Sequence, residues 1–375
     1  MPLYKQLFKM KILTVFGTRP EVIKLAPVIE ELRRRGLEVL VCATAQHRDM
    51  MDQMLEVFSL RPDFDLDVME ENQSPLGVAS RIFETLTPVL EKTRPEWLLV
   101  QGDTTTTFAA AWAAFHQRVA IGHVEAGLRT GDKLRPFPEE MNRRLTSALA
   151  DLHFAPTARA VENLLAEGIS RDHVHLTGNT VVDALHAILK QPVTFSDPRL
   201  AQLTGSVVLV TAHRRESFGH PLEDICRAIA DIVEAHADVT VVLPVHRNPA
   251  VRCTVEELLG RRERVVLTEP LGYPEFVHLM QRAELILSDS GGVQEEAPSV
   301  GTPVLVLREV TERPEAVASG WAELVGTNCA LIVSRAAACL LRGKAARSTS
   351  ENPFGDGKAS ARIAELLIGH RAARA

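Results

Sequence analysis

A chain of 375 residues, 46% of them hydrophobic, holds enough material for two cored domains, and its formal net charge of −6 gives no support for nucleic acid as a partner. No apolar run reaches about 18 residues, so nothing reads as a membrane span. The five cysteines (Cys42, Cys226, Cys253, Cys329, Cys339) are dispersed without CxxC spacing, which points to a reducing cytoplasm and away from structural zinc. Each reads as core filling or as a passive surface thiol. The opening MPLYKQLFKM lacks the length and small residues of a signal peptide and reads as an extension ahead of the first strand.

The first strand is Lys11 to Phe16, apolar in the manner of a strand buried on both faces of a parallel sheet. It runs into Gly17-Thr18-Arg19-Pro20, with Pro20 suited to the first turn of a helix. That helix carries Val22, Ile23, Leu25, Ala26, Val28, Ile29 and Leu32 at helical spacing and stops at Gly36 after a basic last turn. Arg19 and Lys24 fall at the carboxyl edge of the strand, where open α/β sheets bind ligands. A second strand, Glu38 to Thr44, leads to Gln46, His47 and Arg48 and a Met-rich helix that reads as core. Asn72 to Pro75 caps a long amphipathic helix ending near Lys92.

The strand Trp97 to Gln101 delivers Asp103 to a helix start, where an isolated Asp would serve as N-cap. The threonine run that follows offers further hydroxyls to a polar ligand. Val119 to Val124 delivers Glu125 to the same edge. In RPFPEEMNRR, Pro138 starts a helix, and Glu139 and Glu140 complement its dipole. Leu152 to Ala155 and Val174 to Thr177 complete the first βα domain. Residues 1–178 make that domain, 179–355 the second, and 356–375 a closing helix that returns to the first, with 191–206 reading as a linker.

The second half repeats this grammar. Val207 to Thr211 leads to His213, Arg214 and Arg215; Val239 to Val245 leads to His246; Val265 to Thr268 leads to EPLGYPEF, where Tyr273 and Phe276 suit a flat-base pocket. Glu284 to Asp289 is a buried strand ending in Ser290-Gly291-Gly292, which reads as a tight turn before a helix starting near Val293. The helix N-terminus favours phosphate, Glu295 and Glu296 suit ribose hydroxyls, and Arg313 has the planar fork to close over a diphosphate. The reading is an α/β protein of two open domains facing across a cleft. The second holds a nucleotide diphosphate. The first brings Asp103, Glu125 and Glu139 to its own edge, and His213 comes from the second, a set suited to proton transfer at carbon or at a glycosidic oxygen.

GTRPEVIKLAPV, QGDTTTTFAAA, HVEAGLRTGD, PFPEEMNRR, TGNTVVDAL, TAHRRESFG, PVHRNP and SDSGGVQEEAPSVGTPVLVLREVTERPEAV occur in this order over nearly the whole chain. Together they resemble the non-hydrolysing UDP-N-acetylglucosamine 2-epimerases of bacteria. The resemblance implies two Rossmann-like domains of the glycosyltransferase-B type. It implies reversible conversion of UDP-N-acetylglucosamine (UDP-GlcNAc) to UDP-N-acetylmannosamine (UDP-ManNAc) for cell-surface polysaccharide, with no metal and no nicotinamide cofactor. The route it implies is elimination of UDP to a 2-acetamidoglucal and re-addition.

Carried onto this chain, the resemblance makes Asp103, Glu125 and Glu139 the acid/base carboxylates, and His213 a proton donor or electrostatic support at the leaving phosphate. Which carboxylate serves which ring face stays open. Arg19, Lys24, Ser290, Gly291, Gly292 and Arg313 would hold the diphosphate, Glu296 the ribose, and Leu271 to Phe276 the uracil. Leu271 stands where relatives often have Gln, so a uracil contact there falls to backbone. A regulatory UDP-GlcNAc site is implied at Gln46, Gln73, Glu139, Arg214 and His246, with Asp49 at a position that is often an amide. A homodimer is usual in the family. Competing readings are a UDP-sugar glycosyltransferase, a hydrolysing epimerase, a non-catalytic sensor, and an epimerase of a UDP-diacetamido-uronate.

Overall fold

A computed structural model describes residues 10–45, 48–70, 73–212, 219–343 and 351–374. The N-terminal extension and the positions of Gln46, His213 and Arg214 lie outside the described residues. The chain forms two compact units: one runs through Ala184 and resumes at Phe354–Ala375, and the other is Leu185–Pro353. No helix is long and apolar enough to cross a membrane among the described residues.

In the first unit the chain runs β1 (Lys11–Phe16), α1 (Arg19–Arg34), β2 (Glu38–Ala43), α2 (Arg48–Val57), β3 (Phe64–Asp65), α3 (Pro75–Thr93) and β4 (Trp97–Gln101). It continues through α4 (Thr105–His116), β5 (Ala120–Val124), α5 (Glu139–Leu149), β6 (Leu152–Ala155), α6 (Ala158–Ala166), β7 (Val174–Leu176) and α7 (Thr180–Leu189), which crosses into the second unit. The strands are parallel in the order β3-β2-β1-β4-β5-β6-β7. Both faces of the sheet are covered, which is why β4, β5 and β6 are buried throughout and read as unbroken apolar runs. On α1, Val22, Leu25, Val28, Ile29 and Leu32 are fully buried. Each such side chain contributes about 1.5–3 kcal/mol of burial free energy. The two-residue β3 was not legible beforehand; it is too short to show alternation.

The second unit holds α8 (Pro198–Ala201), β8 (Ser206–Thr211), α9 (His220–Ala235), β9 (Val239–Pro244), α10 (Pro249–Leu259), β10 (Val265–Thr268) and α11 (Tyr273–Arg282). Then come β11 (Leu285–Ser288), α12 (Gly291–Glu296), β12 (Val304–Val306), α13 (Pro314–Ala318), β13 (Ala322–Leu324) and α14 (Cys329–Arg342). Its parallel sheet has the order β10-β9-β8-β11-β12-β13. Each unit is thus a Rossmann-like α/β domain.

The last helix, α15 (Ala359–Arg374), packs on the first unit, as expected. Ala359, Ile363 and Leu367 recur every four residues and are buried. The Asp183 carboxylate accepts from the backbone N–H of Ala359 (3.2 Å) and Ser360 (2.8 Å), capping α15 from α7. Gly178 has φ +89°, and a Cβ there would stand 3.4 Å from Gly355 Cα, so glycine lets the returning chain lie against it. Arg362 Nη1 donates to the Thr177 carbonyl at 3.0 Å.

The stretch 191–206 is not the free linker its composition suggested. Leu200 is buried, Arg199 Nη2 donates to the Leu267 carbonyl (2.7 Å), and Arg282 donates to the carbonyls of Leu200 (3.1 Å) and Leu203. Those bonds fasten it to the second unit. Burial pushes the thiols of Cys42 and Cys226 up to about 12, in keeping with core filling.

Candidate active site

Strand order locates both candidate sites. In the first sheet the order reverses between β1 and β4, and in the second between β8 and β11. Loops leaving adjacent strands in opposite directions open a crevice at the carboxyl edge, where ligands bind. The chain leaving the strands at these two points carries Arg19 and Asp103 in the first sheet and Ser290 in the second.

Asp103 was read as a potential helix cap; the structure gives that task to Thr104. Thr104 Oγ1 accepts from Thr107 N at 3.1 Å. The Asp103 carboxylate is left to face Arg143, whose Nη2 donates to Oδ2 at 2.5 Å, while Asn142 Nδ2 donates to the Asp103 carbonyl at 3.0 Å. Both partners lie on α5. Glu139 opens α5 half-buried, one turn before Arg143 on the same helix face. Arg143 was not singled out from the sequence, although its four-residue spacing from Glu139 is a signal that could have found it.

Glu125 leaves β5 beside Asp103, since Gln101 and Val124 are paired in register. Its φ is +63°, a left-handed conformation that costs a non-glycine residue about 1–2 kcal/mol. Its Oε2 accepts from Lys24 Nζ in a nearly buried ion pair. Between them, His123 Nε2 lies 2.7 Å from the Gly102 carbonyl. Burial pushes His123 down to about 3, so it is neutral; a neutral ring facing a carbonyl must be the donor.

Glu21, which sequence reasoning passed over, is 1% exposed. Its Oε2 accepts from Gly17 N (3.0 Å), Thr18 N (2.8 Å) and Thr18 Oγ1 (2.8 Å). Its Oε1 accepts from Thr104 Oγ1 at 2.7 Å and lies 3.1 Å from Thr107 Oγ1. Burial raises its pKa, with the bond from Thr104 the foremost opposing influence. Glu140 is also buried, and instead of merely facing the helix dipole it accepts from Thr130 N (3.1 Å) and Gly131 N (3.3 Å). Arg19, the first residue of α1, is half-buried.

In the second unit, Gly291 and Gly292 are not a turn but the first residues of α12, with Ser290 as N-cap. Neither has a positive φ, and a Cβ at Gly291 would lie 3.9 Å from Arg313 Cζ and Nη2, ordinary contact. The protein's own backbone and packing therefore do not require glycine at either position. Arg313 rests beside that helix start, its Nε bonded to Glu295 Oε1. Gln294 is fully buried; it donates to the Ser290 carbonyl (3.1 Å) and accepts from Thr311 Oγ1 (2.6 Å), which accepts in turn from Arg313 N (3.0 Å). The two glutamates thus separate: Glu295 sets Arg313, and Glu296 Oε1 accepts from Tyr273 Oη at 2.7 Å. Tyr273 is itself buried, so it orients Glu296 rather than lining an open base pocket. Leu271 and Phe276 are half-buried nearby in the chain. Gln73 sits just before α3, where its Oε1 accepts from Glu70 N at 3.1 Å, and His246 is exposed after β9.

A family profile described as UDP-N-acetylglucosamine 2-epimerase matches residues 30–368. The UDP-N-acetylglucosamine 2-epimerases of Escherichia coli K12 and of Salmonella typhimurium LT2 are each 50% identical to the chain over 374 residues, covering 96% of it and 99% of the relative. A crystal structure of the UDP-GlcNAc 2-epimerase from Neisseria meningitidis bound to UDP-GlcNAc is 47% identical, with TM-score 0.86 over 96% of this chain and 100% of that one. The Methanocaldococcus jannaschii enzyme in complex with UDP-GlcNAc and UDP is 34% identical, with TM-score 0.79 over 96% and 99%. Matched over nearly its full length in sequence and in fold, the chain belongs to the UDP-N-acetylglucosamine 2-epimerase family, in its non-hydrolysing bacterial form.

Proposed function

We propose that Asp103, Glu125 and Glu139 carry the proton transfers by which this protein interconverts UDP-GlcNAc and UDP-ManNAc through elimination and re-addition of UDP. The protein is an isomerase of UDP-GlcNAc, as its family is. The C2 proton of the sugar is not acidic, because no carbonyl adjoins it. Elimination avoids the barrier of a simple carbanion. A carboxylate takes the C2 proton, the C1–O bond breaks with its electron pair passing to the β-phosphate oxygen, and a C1–C2 double bond forms. UDP adds back to C1 as a carboxylic acid protonates C2 from the other face. Two acid/base groups are needed on opposite faces, and three carboxylates are candidates.

The observation that carries this reading is the convergence of Asp103, Glu125 and the start of α5 on the carboxyl edge of one sheet, with Glu125 in costly left-handed backbone and each of the first two held by a cation. Leaving-group charge needs preorganised donors. Arg313 beside the α12 start, the N–H groups opened by Gly291 and Gly292, and Ser290 are suited to supply them, together with Arg19, Lys24 and His213. Glu296, oriented by Tyr273, is suited to the ribose, and Leu271 to Phe276 to the uracil. Proton NMR with UDP-GlcNAc in D2O tests the route: UDP-ManNAc should appear with deuterium at C2. Free N-acetylmannosamine with UDP, or epimerisation with the C2 proton retained, would overturn it.

Regulation by UDP-GlcNAc at Gln46, Gln73, Glu139, Arg214 and His246 belongs to the same reading. UDP-ManNAc alone should then turn over slowly until UDP-GlcNAc is added; a full initial rate without it would remove the regulatory site. A homodimer is supported by an exposed apolar strip on α4 and α5, with Trp112 41%, Phe115 53% and Leu145 42% exposed. Light scattering should give twice the chain mass, and Trp112→Asp should halve it. Scattered free cysteines and a nucleotide-sugar substrate support a cytoplasmic location and a role in supplying cell-surface polysaccharide.

A further inference from the structure

We propose that Glu21 is a positioning residue for the epimerisation: through Thr104 it fixes the turn that carries Asp103, and so sets where the Asp103 carboxylate stands. The inference rests on the reading of Asp103 as an acid/base group.

A glutamate at the third position of a helix commonly closes a capping box, and that task needs one carboxylate oxygen at the protein surface. Glu21 does this with Oε2, which gathers Gly17 N, Thr18 N and Thr18 Oγ1. Capping leaves Oε1 unaccounted for, and it also leaves unexplained why the whole group is buried, since a buried carboxylate is unfavourable unless its lone pairs are filled. Oε1 reaches across the sheet instead, to Thr104 Oγ1 at 2.7 Å. Each oxygen therefore serves one of the two loops at the point where strand order reverses. Thr104 is the residue after Asp103 and the N-cap of α4, so the bond acts on the first fixed point beyond the carboxylate.

The other contacts show what Glu21 completes. Gly102 N donates to the Val124 carbonyl (3.0 Å), and His123 Nε2 holds the Gly102 carbonyl (2.7 Å). Asn142 and Arg143 hold Asp103 itself. These come from β5 and α5. Glu21 holds the same turn from the β1 side. One turn further along α1, Lys24 holds Glu125. The first two turns of α1 thus fix two of the three carboxylates relative to one another. A misplacement of about 1 Å at such a group costs on the order of a hundredfold in rate.

The test breaks the bond from either end. Glu21→Gln keeps an oxygen for the capping box but replaces the charged acceptor facing Thr104 with an amide N–H₂, so the hydroxyl loses the bond it donates and can only accept there. Thr104→Val removes the hydroxyl at nearly constant shape, and Thr104→Ser restores it. Both T104V and E21Q should lower kcat by about tenfold or more, with KM for UDP-GlcNAc within about twofold; the thermal midpoint should stay near that of the wild type in E21Q and fall in T104V, which also gives up the α4 cap bond from Thr107 N. T104S should recover kcat to within about threefold of the wild type. Unchanged kcat in both breaking variants, a loss carried by KM, or failure of T104S to recover would overturn the proposal. If T104V unfolds, E21Q decides alone. Asp103→Asn, assayed beside them, separates this claim from the one beneath it. Near-normal turnover in D103N removes the reading of Asp103; loss in D103N with full turnover in T104V and E21Q removes only the link.

Discussion

Replacing Gly291 and Gly292 by alanine should make the free protein more stable and the enzyme worse. Both glycines occupy the first turn of α12 without positive φ, and alanine is favoured over glycine in a helix by about 0.5–1 kcal/mol. The added methyl at Gly291 would lie 3.9 Å from the Arg313 guanidinium and that at Gly292 3.8 Å from Ser290 Oγ, so neither site charges a steric penalty against the gain. At a helix start the lower figure applies, giving about 1 kcal/mol for the pair. For a unit of this size that raises its melting temperature by about 2–4 °C. The same methyls stand over the helix-opening N–H groups where a diphosphate would approach. Loss of one charge-assisted contact of about 1.4 kcal/mol weakens UDP about tenfold. Thermal melts with and without UDP read both effects. The double variant should melt higher alone and gain less from UDP than the wild type does. A lower melting point without ligand, or an undiminished shift with UDP, would refute the reasoning that these glycines serve a ligand rather than the fold.

The pH dependence of stability offers a second check. His123 is held down to about 3 in the fold against an ordinary value of 6.5, so the stability tied to its neutral form is present above pH 6.5 and is lost as pH falls below it. The unfolded chain takes up that proton first, at about 1.4 kcal/mol per pH unit, and His123→Asn should flatten the slope between about pH 6 and 5 by about one proton; an equal slope would refute the assignment. At the ribose end, Glu296→Ala should abolish discrimination between UDP and 2′-deoxy-UDP. Tyr273→Phe should keep it while weakening both ligands by about 1 kcal/mol, as competition assays would read. Finally, Glu125→Gly and Glu125→Ala both remove the carboxylate and leave Lys24 in the same state. The glycine variant should unfold at higher denaturant by about 1 kcal/mol, because φ is +63° there, and matched midpoints would mean the backbone is unstrained.

What the sequence made legible followed physical rules that act locally. Strands buried on both faces appear as apolar runs, and β1, β4, β8 and β11 were placed to within a residue or so. Prolines and small polar residues marked the starts of α1 and α3. The misreadings occurred where local preferences are nearly balanced and a distant contact decides. Asp103 and Thr104 are comparable N-caps; Thr104 takes the role in a turn that Glu21, 83 residues earlier, holds by its hydroxyl, and Asp103 is released to Arg143. Ser290-Gly291-Gly292 looks like a turn by composition, yet the helix begins there, since a glycine's local penalty of about 1 kcal/mol is small beside the packing of Val293 and the buried bonds of Gln294. Residues 191–206 have the composition of a linker, but Arg199 within them donates to the Leu267 carbonyl 68 residues on, and Arg282 donates back to the carbonyls of Leu200 and Leu203.

The roles of the site residues divide along the same line. That Glu295 and Glu296 are acidic is local information; that one sets Arg313 and the other meets Tyr273 depends on the helix rotating them apart by about 100° and on which neighbours β10, β12 and their loops present. Strand order is the deeper case. Nothing in the run of apolar segments says that β1 pairs with β4 or β8 with β11, yet those two pairings create the reversals at which Arg19, Asp103 and Ser290 emerge. An open parallel sheet with right-handed crossovers must reverse somewhere if helices are to cover both faces. Where it reverses is fixed by which strand edges are best covered. A binding loop read from sequence therefore gains its meaning from a pairing that the loop itself does not encode, and Glu21, tying the loops of two paired strands, is where that long-range choice becomes a single hydrogen bond.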